Sequence, residues 1–290
     1  MHGRLSVGTS GPLRGVGKTA LGVARVRARE SQRNDRLFDD PYAQAFVDAA
    51  PGACPEDPRT AEQRAALGPL AAFGAAFYSH AVIRTRFYDD YLTAAAPAGC
   101  GQVVLLAAGL DTRAFRLAWP DGARLYKLDL PEVQAFKEPV LAARDAAPRC
   151  DRVTVPADLR TGWPARLTVA GFDPDCPVAW LTEGLLIYLT PAEAERLLTA
   201  VTSLSAPGSR LAFEHNPAGR DTLTARSAQV PAMRQYAELW KGGLADAPGW
   251  LTSHGWRTQF HPLAAVGSSY GRPVPDSASS GFLTATRMNL

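Results

Sequence analysis

Residues 102–130 read QVVLLAAGLDTRAFRLAWPDGARLYKLDL, and the fold can be worked outward from them. Val103, Val104, Leu105 and Leu106 form an apolar run too short for a free-standing helix. Bounded by Gly101 and Gly109, the run predicts a buried strand of a parallel sheet. It ends in Ala107, Ala108 and Gly109, a turn of small residues where backbone can come close to a ligand. Asp111 and Thr112 are each suited to cap a helix starting near Arg113. A second strand, LYKLDL, ends at Asp129, about 20 residues beyond the turn. A glycine turn followed at that distance by an acidic residue is the nucleotide-ribose arrangement of doubly wound folds, the carboxylate accepting from the two ribose hydroxyls.

The turn holds a single glycine. A pyrophosphate needs several backbone N–H groups at close range and three glycines to admit it, so this loop suits an uncharged or cationic tail better. That favours S-adenosyl-L-methionine over NAD. A plain core strand and turn is the competing reading.

The 290 residues are long enough for one large α/β domain with additions or for two small domains. A hydrophobic content of 46% with 20% charged residues is that of an ordinary soluble protein. A net charge of +3 is too slight to argue for nucleic acid. Cys54, Cys100, Cys150 and Cys176 are scattered with no CxxC pair, which predicts free thiols in a reducing cytoplasm and no metal site. The stretch between Asp90 and Asp111 lacks charges but is broken by Pro97, Gly99, Gly101 and Gln102, so no membrane span is expected. The N-terminus has no apolar signal core. Its basic excess, eight Lys/Arg in the first 36 residues against Glu30 and Asp35, runs into a patterned helix rather than a transit peptide or nucleic-acid arm.

Residues 1–16 are aperiodic and expected to be mobile. Gly17-Lys18-Thr19 looks like the end of a phosphate-binding loop, but Pro12 stands where that motif needs its first glycine. Thr19 is read instead as the cap of a helix from Ala20 to about Arg33, with Leu21, Ala24 and Ala28 on one face. Asp39-Asp40-Pro41 is expected to start a second helix, Pro51 to Pro58 to loop, and residues 60–96 to be helical throughout. Residues 17–98 thus form a helical cap ahead of a core spanning 99–290. There strands are predicted at 102–107, 124–129, 152–155, 178–182 and 209–214, with a closing pair near 256–260 and 281–286. Helices are placed at about 112–118, 131–147, 191–205 and 231–253, and residues 216–250 are taken as a helical insertion forming a second wall of the pocket. The fold class is α/β: a seven-stranded, doubly wound, Rossmann-like sheet with the helical cap in front and the insertion before the last two strands.

Seven segments now carry a resemblance: TALGVARVRARES (19–31), RLFDDPYAQAFV (36–47), IRTRFYDDYL (83–92), AAGLDTRAFRL (107–117), YKLDLPEV (126–133), ADLR (157–160) with Trp163, and WLTEGLLIYLTPAEAERLL (180–198). In this order they resemble the leucine carboxyl methyltransferase-like family of S-adenosyl-L-methionine-dependent enzymes, in particular its actinobacterial branch related to polyketide O-methyltransferases. The resemblance covers roughly residues 17–290. It implies that Ala107-Ala108-Gly109 takes the place of the family's glycine turn beside the methionine part of the cofactor, with Ala107 where the family has its first glycine. It further implies that Asp129 binds the ribose hydroxyls and that Asp158 and Leu159 hold the adenine. Arg84 would help bind the cofactor carboxylate, and Glu183 would face the methionine end.

Each residue has a plainer alternative. Asp129 could cap the helix that Pro131 begins, and Asp158 could close an Asx-type turn. Glu183 lies in an apolar passage where a carboxylate is costly unless paired, and a sulfonium or ammonium would be a fitting partner. Arg84 could instead pair with Asp89 or Asp90. No histidine triad is visible; His80 and His215 are the two histidines placed near the pocket, and His215 and Tyr188 are the weak catalytic candidates. Arg25, Arg29 and Arg33 could guide an anion or form a solvated stripe.

Methyl transfer from a sulfonium is an in-line displacement in which alignment and water exclusion do most of the work. A carboxylate acceptor is already ionised and needs no base, whereas a phenol, with a pKa of about 10, would gain from one. The sequence thus points to O-methylation of a carboxyl or hydroxyl group on a small, polyketide-like acceptor, with no nucleic-acid or membrane partner. The rivals are a non-catalytic S-adenosyl-L-methionine-binding sensor or subunit, and an NAD(P)-dependent oxidoreductase.

Overall fold

Seven strands assemble into one sheet in the computed structural model, which describes residues 16–51, 68–216, 239–275 and 280–289. The expectations for the N-terminal segment before residue 16, the loop after Pro51, the first turns of the long helix and most of the 216–250 insertion lie outside the described residues; residues 239–246, expected to be helical, are not, and helix resumes only at Ala247. The strands are β1 (Gln102–Leu106), β2 (Arg124–Asp129), β3 (Asp151–Pro156), β4 (Val178–Thr182), β5 (Arg210–His215), β6 (Trp256–Pro262) and β7 (Gly281–Arg287), in the order β3-β2-β1-β4-β5-β7-β6. The first five run parallel. The last two pair antiparallel, as expected, and β7 also pairs antiparallel with β5, so it sits between β5 and β6. β1 is central, its Val103 opposite Leu125 on one side and Ala179 on the other. All five of its residues are buried, which is why Val103–Leu106 is continuously apolar rather than alternating.

Nine α-helices occur among the described residues: α1 (Val16–Ser31), α2 (Ala43–Asp48), α3 (Pro69–Ala95), α4 (Arg113–Arg116), α5 (Pro131–Ala142), α6 (Trp163–Val169), α7 (Pro191–Ser203), α8 (Ala247–Ser253) and α9 (Leu263–Ser269). Successive strand residues point to opposite faces. Val103, Leu105 and Leu125 therefore pack with Leu21 of α1, Phe46 of α2, Ile83 of α3 and Val133 of α5. Val104, Leu106 and Tyr126 pack with Trp163 of α6, Leu197 of α7 and Leu251 of α8. The sheet is covered on both faces, and the ends of β1, β2 and β4 open under α1 and α3.

Several element ends differ from the sequence reading. α1 already includes Val16, so Thr19 lies inside the helix rather than capping it. The helix expected at 112–118 is the single turn α4, because Leu117 is extended and Trp119-Pro120 disfavours helix just beyond. α5 stops at Ala142, short of 147, and Asp145 takes a left-handed φ of 48°. It starts with Pro131 in the first turn, and the residue before it, Leu130, makes no side-chain cap. α7 begins with a full capping box, Thr190 and Glu193 satisfying each other's backbone N–H, which PAEAE after Thr190 anticipates. The short α6 and α9 were not foreseen; their seven residues give little periodicity to read.

Candidate functional site

A cavity of about 790 Å³ opens at the ends of the parallel strands, where open α/β sheets bind ligands. Its volume lies in the range that takes a small organic ligand. Ala107, Ala108 and Gly109 after β1, Asp129 and Leu130 after β2, Asp158 and Leu159 after β3, and Glu183 and Gly184 after β4 all line it. α1 adds Val23 and Arg27, α3 adds Phe73, Phe77 and Arg84, and Tyr188, Trp240 and Lys241 complete the wall.

The turn after β1 is built from backbone. Ala107 and Gly109 both take left-handed φ values, 53° and 48°, which is why β1 ends at Leu106 and not at the expected 107. For Ala107 such a φ carries steric strain that glycine would avoid. The neighbours hold it: the Ala108 N–H donates to the Leu128 carbonyl at 2.9 Å, and the Asp111 N–H to the Ala108 carbonyl at 3.0 Å. The Gly109 N–H donates to Asp129 Oδ2 at 2.5 Å, and the Leu130 N–H to Asp129 Oδ1 at 2.7 Å. Burial pushes the Asp129 carboxyl up from the ordinary carboxylate range, and these two N–H donors counter it. A methyl group at Gly109 would meet the Ala20 side chain of α1 at 3.5 Å, so the first helix closes directly over the turn.

The corner after β4 is built from charge. Arg84 places Nε 2.9 Å from Glu183 Oε1 and Nη1 2.9 Å from Glu214 Oε1. Arg113 Nη1 lies 2.7 Å from Glu183 Oε2 and 2.7 Å from Asp111 Oδ2, while its Nε is 2.7 Å from Asp89 Oδ1. Arg116 takes the other Asp89 oxygen at 2.6 Å. Glu214 also receives the Gly184 N–H. Burial alone would raise the Glu183 carboxyl; Arg113 and Arg84 outweigh it and hold the group at about 2. Glu214 moves the other way: burial raises it and Glu183 adds to the rise, against the pull of Arg84. Both partners expected for Arg84, Asp89 and Asp90, are engaged elsewhere, by Arg113 with Arg116 and by Arg86 respectively. Glu183, read as wanting a cationic ligand, already has two arginines beside it.

At the end of β3 the Asx-type turn is present: Asp158 Oδ1 accepts from the Arg160 N–H at 2.9 Å, and its carboxylate also holds the Arg160 guanidinium. Asp158, Leu159 and Tyr188 line the cavity. His215 does not. Along β5, Glu214 reaches the Arg84 side while His215, the next residue, turns to the opposite face, edge-on to Phe260 at 6.1 Å. His80 packs near Phe282 and is also absent from the cavity lining; burial and the Arg84 cation push it down to about 3.

The arginine stripe of α1 likewise does not face the cavity as a set. Arg29 lies over the Tyr78 ring at 4.6 Å and Arg33 pairs with Asp35 at 2.8 Å. Arg27, which the stripe skips, is the one that lines the cavity, tied to Asp40 at 2.8 Å and to the Leu110 carbonyl at 2.7 Å. Sequence reasoning also passed over Arg113, Lys127 and Lys137. The one signal available was that charged residues stood at positions the strand and helix patterns mark as buried.

Comparison with known proteins places these features in company. The family model of leucine carboxyl methyltransferases matches residues 20–202. A protein of Parafrankia sp., described as an inferred S-adenosyl-L-methionine-dependent methyltransferase, is 51% identical over 276 residues, covering 94% of this chain and 87% of that one. One of the same description from Streptomyces coelicolor is 42% identical, covering 94% and 96%. Among solved structures, a DUF574 family protein from Streptomyces avermitilis superposes with a TM-score of 0.54 at 18% identity, covering 91% of this chain and 96% of its own. An inferred methyltransferase from Thermobifida fusca gives 0.52 at 18% identity, covering 92% and 94%. These two likenesses speak to the fold.

Proposed function

The chain belongs to the leucine carboxyl methyltransferase family, and on that premise we propose that it transfers the methyl group of S-adenosyl-L-methionine to an oxygen of a small organic acceptor. The oxygen is that of a carboxyl or hydroxyl group on a polyketide-like molecule. The observation that carries the proposal is that one cavity gathers the Ala107–Gly109 turn, Asp129, Asp158, Leu159, Arg84 and Glu183.

The residues present fit the cofactor. Each Asp129 carboxylate oxygen accepts from one backbone N–H and keeps a lone pair for the ribose hydroxyls. Leu159 and Asp158 would hold the adenine, Asp158 once its carboxylate is shared with or released from Arg160. Arg84 has Nε and Nη1 held by Glu183 and Glu214, so its planar fork is fixed before a carboxylate arrives at Nη2. Glu183 would take the ammonium end with its remaining lone pairs. The turn brings no side chain larger than a methyl to the cavity. When bound, the cofactor supplies an electrophilic methyl group on a sulfonium sulfur.

The rest falls to the chain. Phe73, Phe77, Val23, Tyr188 and Trp240 offer the acceptor apolar and aromatic surface and exclude water from the reacting atoms. Tyr188 is the titratable side chain among them. With His215 on the other side of the sheet, a carboxylate acceptor, which asks for no general base, suits this wall better than a phenol. Incubating the protein with S-adenosyl-L-methionine and a panel of aromatic and aliphatic carboxylic acids and phenols, read by mass spectrometry, tests the proposal. Methyl esters or ethers with matching S-adenosylhomocysteine are expected. N-methylated or protein-bound product would overturn the oxygen assignment, and cofactor binding with no turnover across the panel would favour the sensor alternative.

A further inference from the structure

Two lysines lie beneath the turn, on the side away from the cavity. Lys127 is the third residue of the buried run of β2 and Lys137 faces inward from α5; each is 2% exposed. Neither lines the cavity. Fully buried lysines are rare, and these two meet the same short segment. Lys137 Nζ donates to the Gly109 carbonyl at 2.9 Å. Lys127 Nζ donates to the Asp111 carbonyl at 2.5 Å and stands 3.5 Å from Asp111 Oδ1. The Gly109 residue is thereby gripped at both polar atoms, its N–H by Asp129 and its C=O by Lys137.

That grip answers a need of the turn. Ala107 and Gly109 are both left-handed within three residues, and strained backbone persists only where its surroundings over-determine it. We propose that Lys137 and Lys127 are positioning residues of the cofactor turn, holding the Gly109 and Asp111 carbonyls from beneath so that the Gly109 N–H is presented to Asp129 and the turn stays open to the ligand. The inference rests on the cofactor assignment above.

The electrostatics suit the role. The charged groups around the Lys137 amine are Lys127 and Asp129 on β2, Asp111 in the turn, Arg152 on β3 and Glu138 of α5, to which Arg152 is bonded. Burial and the neighbouring Lys127 push Lys137 well below the ordinary lysine range. Lys127 is lowered too, by burial, against the pull of Asp111.

The test is Lys137→Met, which keeps most of the unbranched stem and removes the donor, beside Lys137→Gln, which supplies an N–H donor one bond shorter. Three quantities are measured: S-adenosylhomocysteine affinity by calorimetry, the denaturant midpoint, and hydrogen exchange of the turn amides without ligand. In Lys137→Met, affinity should fall about tenfold, from the loss of one hydrogen bond at a binding loop. Amides of residues 109–111 should exchange faster while those of β1 keep their protection, and the midpoint should change little, because removing a buried amine offsets leaving the Gly109 carbonyl without its donor. Lys137→Gln should recover part of the affinity. Unchanged affinity with wild-type exchange at 109–111 would overturn the proposal, as would an affinity loss that merely follows a lowered midpoint. A wild-type protein that ignores S-adenosylhomocysteine would fault the cofactor assignment instead, and exchange at 109–111 would still decide whether the lysines hold the turn.

Discussion

At the end of β1 the cavity wall is backbone: two left-handed residues, a clamped glycine peptide, and Asp129 and Lys137 holding it from either side. At the end of β4 the wall is side chain, with Arg84 between Glu183 and Glu214 and Arg113 between Glu183, Asp111 and Asp89. The first depends on φ and on the few side chains that hold the Gly109 peptide. The second depends on charge balance, since each buried ion relies on the others. A ligand with a neutral ribose at one end and an amino-acid zwitterion at the other would need both kinds of wall.

The largest expected effect comes from breaking the charged half. Arg113→Ala leaves Asp89, Asp111 and Glu183 short of a partner in a buried setting, and stability should drop by about 3–5 kcal/mol in denaturant unfolding. A loss below 1 kcal/mol would mean that water or Arg116 replaces the guanidinium. Next comes the backbone half. In Gly109→Ala the added methyl meets Ala20 only at ordinary contact distance, so the cost is that of the left-handed φ, about 1–2 kcal/mol.

A proton is a finer probe of the charged corner. Unfolded histidine titrates at about 6.5, while burial and Arg84 hold folded His80 at about 3. Between those values the unfolded chain binds the extra proton, so stability rises with pH and is lost as pH falls. The His80 contribution should be at most about 1.4 kcal/mol per pH unit. His80→Phe should therefore show a flatter midpoint between pH 6.5 and 5 than the wild type; parallel curves would remove His80 from this account. The smallest effect is expected at Ala107. Ala107→Gly relieves the φ of 53° but loosens the unfolded chain, and the midpoint should move by less than about 1 kcal/mol.

The backbone half was largely legible in the sequence. The apolar run, the small-residue turn and an acidic residue 20 positions beyond Gly109 are local signals, and each strand fell within two residues of its expected ends. Periodicity reports which face of a strand or helix is buried, and so it found β1 and β2 but left Lys127 without a role. The charged half was half legible. Glu183 could be singled out as a charge in an apolar setting and Arg84 from the family resemblance, but their partners are remote in sequence: Glu214 is 130 residues from Arg84 and Arg113 is 70 from Glu183. Local spacing suggested Asp89 and Asp90 instead. His215 was placed near the pocket because it follows a parallel strand, and the one-residue alternation of β5 sends it to the other face.

Titrating S-adenosylhomocysteine into the wild type and into Asp129→Ala, with NAD as the control ligand, tests the cofactor assignment most directly. The wild type should bind S-adenosylhomocysteine and not NAD. Asp129→Ala should bind it about one to three orders of magnitude more weakly, from the loss of charge-assisted bonds worth roughly 1.5–3 kcal/mol each. Because the Gly109 and Leu130 N–H groups also lose their acceptor, the variant should unfold about 1–3 kcal/mol more easily yet remain folded under the assay conditions. Binding of NAD in preference to S-adenosylhomocysteine, or wild-type affinity in a folded Asp129→Ala, would contradict the account.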